Sequence, residues 1–353
     1  MIYRLLKMII IGELVKDKII VEKPKDVGRL YNKSSLGKTL SDNKLELDLI
    51  EGVFLLEEKK IQLYENNKLV DFQKLVRLAA KKISDFEIRY LVFKDLRKRG
   101  HAVKIFTELD GITFYIEKNT AVKKFVSVFS ERDYFNLTNT INFTKYAEKK
   151  NGVLWYAITD EEGDITYYEV SKKELRGEIK SHTYQKTKGL FLKDRVVIFD
   201  KKVAKNLFEK EFYGKFFGDG LQLSFVEALY LSENGLIDFY NVDEKKIAKD
   251  KINKISHKLQ PDIKLRLAVF RELKKNGLIV KTGFKFGTHF RVYTKNPDET
   301  HAEYLVHVVE KDFKSIWSEI SRAVRLAHSV NKDIIFAGVN KKIEYIQFGR
   351  LRP

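Results

Sequence analysis

The chain has 353 residues, of which 44% are apolar and 33% charged, and it contains no cysteine. This length corresponds to about two domains with sizeable cores, which excludes a wholly disordered chain, and the lack of cysteine excludes disulfides, thiolate metal sites and a cysteine nucleophile. The 67 basic residues exceed the 49 acidic ones, and the net charge of +18 predicts attraction to polyanions such as nucleic acids, although a charged soluble protein without such a partner has the same balance.

No apolar run approaches the length of a membrane span. The run at residues 8–11 is typical, and it is far shorter than the ~18 residues that a bilayer requires. It is also too short for the core of a signal peptide. We therefore expect a cytoplasmic protein with no membrane partner.

Strand and helix patterns alternate in the same order in each half of the chain. β-Branched stretches at 18–21 and 195–199 precede amphipathic helices, the last of which end at Gly100 and Gly277. After Gly277 we predict strands at 278–281, 289–293 and 303–309, then a helix, then strands at 334–339 and 343–348. The predicted helix places Ile316, Ile320, Val324 and Ala327 on one face.

The two halves also repeat each other in sequence. RYLVFKDLRKRG at 89–100 matches RLAVFRELKKNG at 266–277, and Gly12 matches Gly189 at the same offset of 177 residues, while Glu51 matches Glu227 at 176. We predict an α/β (α+β) fold of two tandem copies, 1–170 and 188–353, joined by a polar linker at 171–187. Each copy has a small N-terminal α/β subdomain, 188–262 in the second copy, and a C-terminal mixed-sheet subdomain, here 263–353.

Three side chains of the second copy suit the cleavage of RNA by its own 2′-hydroxyl without a metal ion. Tyr293 ends a strand, His301 precedes the next strand, and Lys332 lies between a helix and a strand. A phenolate can take the 2′ proton, an imidazolium can protonate the leaving 5′-oxygen, and an ammonium can pair with the charged phosphate. By residue type alone the triad is weakly specific, because a strand tyrosine is usually packed, a loop histidine is usually on the surface and a lone lysine is usually solvated.

The motifs around these residues resemble the catalytic domain of archaeal tRNA-splicing endonucleases. They are GTHFRVY at 287–293, HAEYLV at 301–306 and RAVRLAHSVNK at 322–332. The resemblance covers both copies, is strongest over 263–339, and implies that 263–353 is a nuclease subdomain whose catalytic triad is Tyr293, His301 and Lys332.

The resemblance also implies an RNA-binding set of arginines. Arg325 and, near the C-terminus, Arg350 would grip a flipped-out base between their guanidinium planes. We add Arg291, which lies on the same strand face as Tyr293. The alternative for each of them is a solvated arginine on a basic surface.

The first copy departs from the motif pattern. Aligning Phe114 with Phe290 puts Glu117 opposite Tyr293, and residues near Ala121 and Gly152 fall opposite the other two triad members. We therefore predict that 1–170 is a non-catalytic structural copy.

An acidic turn at 160–164 is present in the first copy alone. It contains Asp160, Glu161, Glu162 and Asp164, whereas the matching turn of the second copy is shorter. The resemblance implies that this turn docks into a basic cleft of another catalytic unit, and an ordinary exposed hairpin turn is the alternative.

Taken together, the resemblance implies a homodimer that cuts bulge–helix–bulge precursor tRNA at both splice sites. The products would carry 2′,3′-cyclic phosphate and 5′-hydroxyl ends, and no metal or other cofactor would be needed.

Two other functions remain open at this point. One is a metal-dependent DNA nuclease, to which Pro297–Asp298 bears a superficial likeness without the Glu-x-Lys that should follow. The other is a non-enzymatic RNA-binding or assembly subunit.

Overall fold

The computed structural model describes residues 9–117 and 122–353. Residue 8 of the apolar run and Ala121 lie outside the described residues. The first half begins with a six-stranded sheet whose strands are β1 (Ile10–Val15), β2 (Lys18–Val21), β3 (Lys38–Thr39), β4 (Leu45–Leu47), β5 (Ile61–Glu65) and β6 (Lys68–Val70). Its helices are α1 (Pro24–Gly28), which continues into a π-helical turn (Arg29–Lys33), α2 (Leu49–Glu57), α3 (Phe72–Lys82) and α4 (Phe86–Lys98).

The second part of this half supplies five strands to a large sheet. The elements are β7 (Val103–Ile105), β8 (Phe114–Ile116), β9 (Lys123–Ser130), the separate short strand β10 (Tyr134–Asn136), α5 (Leu137–Lys149), β11 (Gly152–Thr159) and β12 (Ile165–Lys172).

The second half repeats this order of elements. Its N-terminal sheet has five strands, β13 (Thr187–Leu192), β14 (Arg195–Ile198), β15 (Lys215–Phe217), β16 (Gly220–Ser224) and β17 (Ile237–Tyr240), with helices α6 (Lys201–Glu211), α7 (Phe225–Glu233), α8 (Lys249–Leu259) and α9 (Ile263–Lys275). The remaining elements are β18 (Ile279–Thr282), a 3₁₀ turn (Phe284–Phe286), β19 (Phe290–Tyr293), β20 (Tyr304–Glu310), the short β21 (Lys314–Ile316), α10 (Trp317–Ser329), β22 (Asp333–Val339) and β23 (Ile343–Leu351).

The repeat predicted from sequence is confirmed by the positions of these elements. Strands β1 and β13 begin 177 residues apart, as do helices α4 and α9. Gly100 and Gly277 follow the two helices with φ of +91° and +75°, a conformation that glycine adopts without steric cost.

The match between Glu51 and Glu227 has a structural cause. Each glutamate accepts a hydrogen bond from the backbone N–H of the residue that caps its helix, and the capping side chain of Asp48 or Ser224 accepts one in return. Each also accepts the N–H of a glycine from a neighbouring loop. Burial raises the pKa of Glu51 to about 7.

The two halves join in one ten-stranded sheet. Its strand order is β18-β19-β20-β22-β23-β12-β11-β9-β8-β7, so that equivalent strands of the two copies are placed symmetrically about the antiparallel β12–β23 pair. Aromatic rings from both copies, including Phe135, Tyr156, Trp317 and Phe348, pack in one core on the face of this sheet. The C-terminal subdomains therefore share a buried interior.

One sequence prediction about the helix after β20 was wrong. Ile316 is 38% exposed and belongs to β21, where it pairs with Tyr134 of the first copy. Trp317 begins the helix and is fully buried, together with Ile320, Val324 and Ala327. Because Ile316 pairs with a strand of the first copy, the buried face of α10 begins at Trp317 and not at Ile316.

Over the described ranges, 9–117 and 122–353, no helix has the length and apolar character needed to cross a bilayer.

Candidate active site

Three neighbouring strands end or begin at the same end of the large sheet. Strand β19 ends at Tyr293, β20 begins shortly after His301, and β22 begins directly after Lys332. Backbone bonds connect the three positions, because Glu303 donates its N–H to the carbonyl of Val292 and Asp333 donates to the carbonyl of Glu303. Strands β19 and β22 are two strand spacings apart, about 10 Å. The topology therefore places the three predicted catalytic residues around one end of the sheet.

Tyr293 is 7% exposed and belongs to a small apolar cluster with Ile279 and Ala302. Tyr293 pairs with Ile279 across the β18–β19 ladder. Phe290 and Val292, whose side chains alternate with it, lie in a different core on the opposite face. Tyr293 therefore lies in a packed environment at the end of β19.

The position of His301 is set by the loop that precedes it. Asn296 accepts the N–H groups of Asp298 and Thr300, so residues 296–300 form a compact hydrogen-bonded turn. At the base of the loop the hydroxyl of Thr294 donates to the carboxylate of Glu303. His301 itself is exposed, so its imidazole is accessible to a ligand at the end of the sheet.

Lys332 follows a left-handed residue at the end of α10. Asn331 has φ of +55°, and the backbone N–H of Lys332 donates to the carbonyl of Ala327 at 3.0 Å. The Lys332 ammonium lies 3.4 Å from the carbonyl of Val330 and 5.8 Å from the centroid of the Phe286 ring. The side chain is half-buried and runs along the sheet face that carries α10.

Arg291 adds positive charge next to the phenol. Its guanidinium carbon lies 5.8 Å from the centroid of the Tyr293 ring. Its Nε is buried and has no hydrogen-bond partner within the described part of the chain. Lys281 pairs with Arg291 across the ladder, and burial together with the Arg291 charge lowers the pKa of Lys281. Both cations thus raise the positive potential at the edge of the sheet.

Arg325 and Arg350 approach one tyrosine of the first copy. Arg350 lies directly opposite Tyr168 in the β12–β23 pair, and Arg325 is exposed on α10 above it. Burial raises the pKa of Tyr168, and the positive charges of Arg350 and Arg325 act in the opposite direction. The two predicted RNA-binding arginines are therefore neighbours. The sequence reasoning missed Tyr168, because no motif links it to Arg325 and Arg350, which lie 157 and 182 positions further along the chain.

The equivalent end of the first copy carries different side chains. Asn151, with φ of +54°, occupies the position of Asn331, so Gly152 stands where Lys332 stands in the second copy. Glu117 follows β8 and forms an ion pair with Lys123. The residue aligned with His301, near Ala121, is outside the described ranges.

The acidic turn connects β11 to β12 as a tight hairpin. The Asp160 carboxylate accepts the N–H groups of Glu162 and Asp164, and Gly163 has φ of +86°. Glu161 pairs with Arg132 of the same copy. Glu162 and Asp164 are exposed and form no ion pair with any described residue. Of the four carboxylates, Asp160 therefore stabilises the turn and Glu161 pairs with Arg132, whereas Glu162 and Asp164 are exposed to solvent.

Within the residues that the structure describes, no group of three or more histidine, aspartate and glutamate side chains is arranged to hold a metal ion. Asp298 and Glu299 lie in the turn before His301, where the Glu299 carboxylate accepts from the Asn296 amide.

Comparisons with known proteins match both kinds of subdomain. The family described as "tRNA intron endonuclease, N-terminal domain" matches residues 10–76 and again 187–252. The family described as "tRNA intron endonuclease, catalytic C-terminal domain" matches residues 263–345. That last match contains all three residues at the end of the sheet.

Archaeal relatives align along nearly the whole chain. The tRNA-splicing endonuclease of Methanococcoides burtonii is 37% identical over 355 residues, covering 97% of this chain and 99% of the relative. The tRNA-splicing endonuclease of Methanosarcina barkeri is 32% identical over 96% of this chain and 99% of the relative. The tRNA-splicing endonuclease of Hyperthermus butylicus is 34% identical over 84% of its own length but 40% of this chain, so it corresponds to about one copy.

Proposed function

Because the chain belongs to the tRNA intron endonuclease family, we propose that it cuts bulge–helix–bulge precursor tRNA by attack of a 2′-hydroxyl on the adjacent phosphate. Its family and its relatives identify the chain as a tRNA-splicing endoribonuclease. The proposal adds the structure of the RNA at the cleavage site and the chemical step. The observation that carries the finer proposal is the convergence of Tyr293, His301 and Lys332 on one end of the sheet.

In the proposed reaction the Tyr293 phenolate removes the proton from the 2′-oxygen at the cleavage site. The 2′-oxygen then bonds to phosphorus, and the bond from phosphorus to the 5′-oxygen breaks. His301, as imidazolium, gives its proton to that 5′-oxygen. The products are a 2′,3′-cyclic phosphate and a 5′-hydroxyl, and the reaction needs no metal ion to balance it.

Positive groups stabilise the charge that accumulates in this reaction. Lys332 is assigned to the non-bridging oxygens of the five-coordinate phosphorus, where the negative charge increases. The Arg291 guanidinium lies beside the Tyr293 ring and adds a second positive group close to the reacting phosphate.

We assign the recognition of the bulge to Arg325 and Arg350. Both are exposed on the face of the large sheet that carries α10, and both lie near Tyr168. Guanidinium planes held side by side can stack on an unpaired base, which is the usual way in which proteins recognise single-stranded RNA.

We further propose that two chains assemble with their acidic turns docked into each other's catalytic copy. The exposed carboxylates of Glu162 and Asp164 supply negative charge on a chain whose net charge is +18, which favours such docking electrostatically. The dimer would contain four copies but two catalytic sites, one for each splice site.

Incubation of the purified protein with a bulge–helix–bulge RNA in excess EDTA, followed by end-group analysis, tests the proposed reaction. We expect two cuts, cyclic-phosphate ends, and a large but still measurable fall in the cleavage rate of Tyr293→Phe but not of Tyr134→Phe, which alters an exposed tyrosine of the first copy. Cleavage that stops in EDTA contradicts the metal-free mechanism, and RNA binding without cleavage would instead support a non-enzymatic subunit.

A further inference from the structure

The segment that joins the two copies is held against the catalytic copy along its length. Residues 173–186, here called the inter-repeat segment, form no helix or strand between β12 and β13. Leu175 is nevertheless 2% exposed and belongs to the core of the second copy. The segment therefore packs as part of the catalytic copy, although its composition is that of a polar tether.

Three backbone hydrogen bonds fix the segment next to the catalytic tyrosine. Gly177 donates to the carbonyl of Asn276 at 2.9 Å, and Ile179 donates to the carbonyl of Gly277 at 2.9 Å. Between them, Glu178 donates to the carbonyl of Thr294 at 3.0 Å, and Thr294 directly follows Tyr293. The segment thus adds a hydrogen-bonded neighbour to the end of the catalytic strand.

The close approach of the inter-repeat segment to the backbone at Gly277 requires glycine at position 177. A Cβ atom at Gly177 would lie 2.2 Å from the carbonyl oxygen of Gly277, a distance that real Cβ atoms do not show. Only a residue without a side chain allows the segment to reach this position.

The side chain of Ile179 adjoins the small apolar cluster that contains Tyr293. It packs, half-buried, against the small cluster formed by Ile279, Tyr293 and Ala302. This cluster is separate from the two larger cores to which the second copy contributes, and among its described members Ile179 alone comes from outside the catalytic copy.

A buried carboxylate fixes the segment further along. Glu211 accepts the N–H of His182 at 3.0 Å and the hydroxyl of Tyr184 at 2.9 Å. The same carboxylate pairs with the ammonium of Lys274 at 3.0 Å, and both charged groups are about 5% exposed or less. The anchors at 177–179 and at 182–184 leave the intervening chain little freedom.

We propose that Gly177 and Ile179 are positioning residues for the reaction, because the inter-repeat segment fixes the orientation of the Tyr293 phenol toward the 2′-hydroxyl. The proposal rests on the proposed role of Tyr293 as the group that takes the 2′ proton. It gives the covalent link between the copies a function in the chemical step, in addition to holding the copies together.

A double-mutant cycle separates positioning from general stability. Single-turnover cleavage is measured for the wild type, Ile179→Ala, Tyr293→Phe and the double variant, with Ile83→Ala, a half-buried isoleucine of the first copy, as the matched control. We expect Ile179→Ala to reduce kcat about tenfold, with KM changed less than about twofold, because small misplacements of a catalytic group are costly. Ile179→Val should show a smaller loss, and Gly177→Ala a loss at least as large as that of Ile179→Ala.

The decisive comparison is made in the Tyr293→Phe background. If Ile179 acts through the phenol, the Ile179→Ala change causes no further loss there. The proposal is overturned if the loss is the same in both backgrounds, or if Ile179→Ala and Ile83→Ala behave alike. If instead Tyr293→Phe cleaves at the wild-type rate, the proposed role of Tyr293 itself fails. Should Ile179→Ala not fold, Ile179→Val carries the same cycle.

Discussion

Tyr168 and Arg350 lie directly opposite each other on β12 and β23, one residue from each copy. Directly opposed residues in an antiparallel pair share a face of the sheet, so Arg350 projects on the side of α10, where Arg325 is exposed. The candidate RNA-binding surface is therefore completed at the seam between a copy that carries the triad and a copy that does not.

The first prediction concerns the arginine pair. Arg325→Ala and Arg350→Ala should each weaken cleavage of a bulged RNA at least tenfold, about 1.4 kcal/mol, because each removes one of two guanidinium planes around the bulge base. Arg322→Ala is the matched control, since this exposed arginine lies one turn earlier on the same helix and pairs with Glu319. Equal effects of all three changes would indicate that Arg325 and Arg350 make only general contacts with the phosphates.

The second prediction concerns the proton donor. His301→Ala should reduce the single-turnover rate by about 10²- to 10⁴-fold, the usual contribution of general acid catalysis, and leave the Kd for RNA nearly unchanged. His257→Ala alters an exposed histidine on α8 and should have no effect on either quantity. Loss of RNA binding in His301→Ala, with the cleavage rate of bound RNA preserved, would contradict the assignment.

The third prediction separates the four carboxylates of the acidic turn. Replacing Glu162 and Asp164 by Ser should weaken the dimer in sedimentation experiments and leave the melting temperature of the dissociated chain nearly unchanged, because neither side chain forms an ion pair within the described chain. Asp160→Ser should also lower the melting temperature, since its carboxylate accepts two backbone N–H groups of the turn.

Charge alone is tested by replacing Glu87 and Glu148, two exposed glutamates of the same copy, by Ser. This control makes the same change in net charge and should leave the dimer intact. A dimer that responds equally to both pairs of changes would indicate a general effect of charge, and a dimer that responds to neither would contradict docking through the turn.

Local patterns in the sequence were sufficient to predict most elements of the fold. The amphipathic helices before Gly100 and Gly277 and the 177-residue offset are confirmed, because both depend on residues close together in the chain. The short motifs also predicted that Tyr293 ends a strand and that Lys332 follows a helix, which is where the structure places them.

Pairing between distant segments was not predictable in this way. The β12–β23 seam depends on strands that begin 178 residues apart, and the position of Ile316 depends on β10 of the other copy. The polar composition of residues 171–187 indicated a linker, but composition carries no signal for the backbone contact between Gly177 and Gly277. The contributions of Tyr168 and Ile179 to the site follow from such non-local contacts.

The fourth prediction concerns acid stability and a histidine pair away from the triad. His289 accepts the N–H of Val308 with its Nδ1, and its Nε2 lies 3.2 Å from a carboxylate oxygen of Asp262. Burial, with contributions from His307 and Arg266, lowers the pKa of His289 to about 4. The bond from Val308 requires an unprotonated Nδ1, so the folded state holds this imidazole neutral.

The sign of the pH dependence follows from the lowered pKa. The unfolded chain binds a proton at His289 near the ordinary pKa of about 6.5, whereas the folded chain does so near 4. The neutral His289 therefore contributes its full stabilisation of the folded state above about pH 6.5. This contribution is lost as the pH falls from about 6.5 to about 4. Urea unfolding of the wild type and of His289→Gln at pH 7, 6 and 5 checks this, because other titrating groups such as Glu51 are present in both proteins and cancel in the comparison. We expect the free energy of unfolding to fall more steeply with acidification in the wild type than in the variant. Parallel curves would show that protonation of His289 does not differ between the folded and unfolded states.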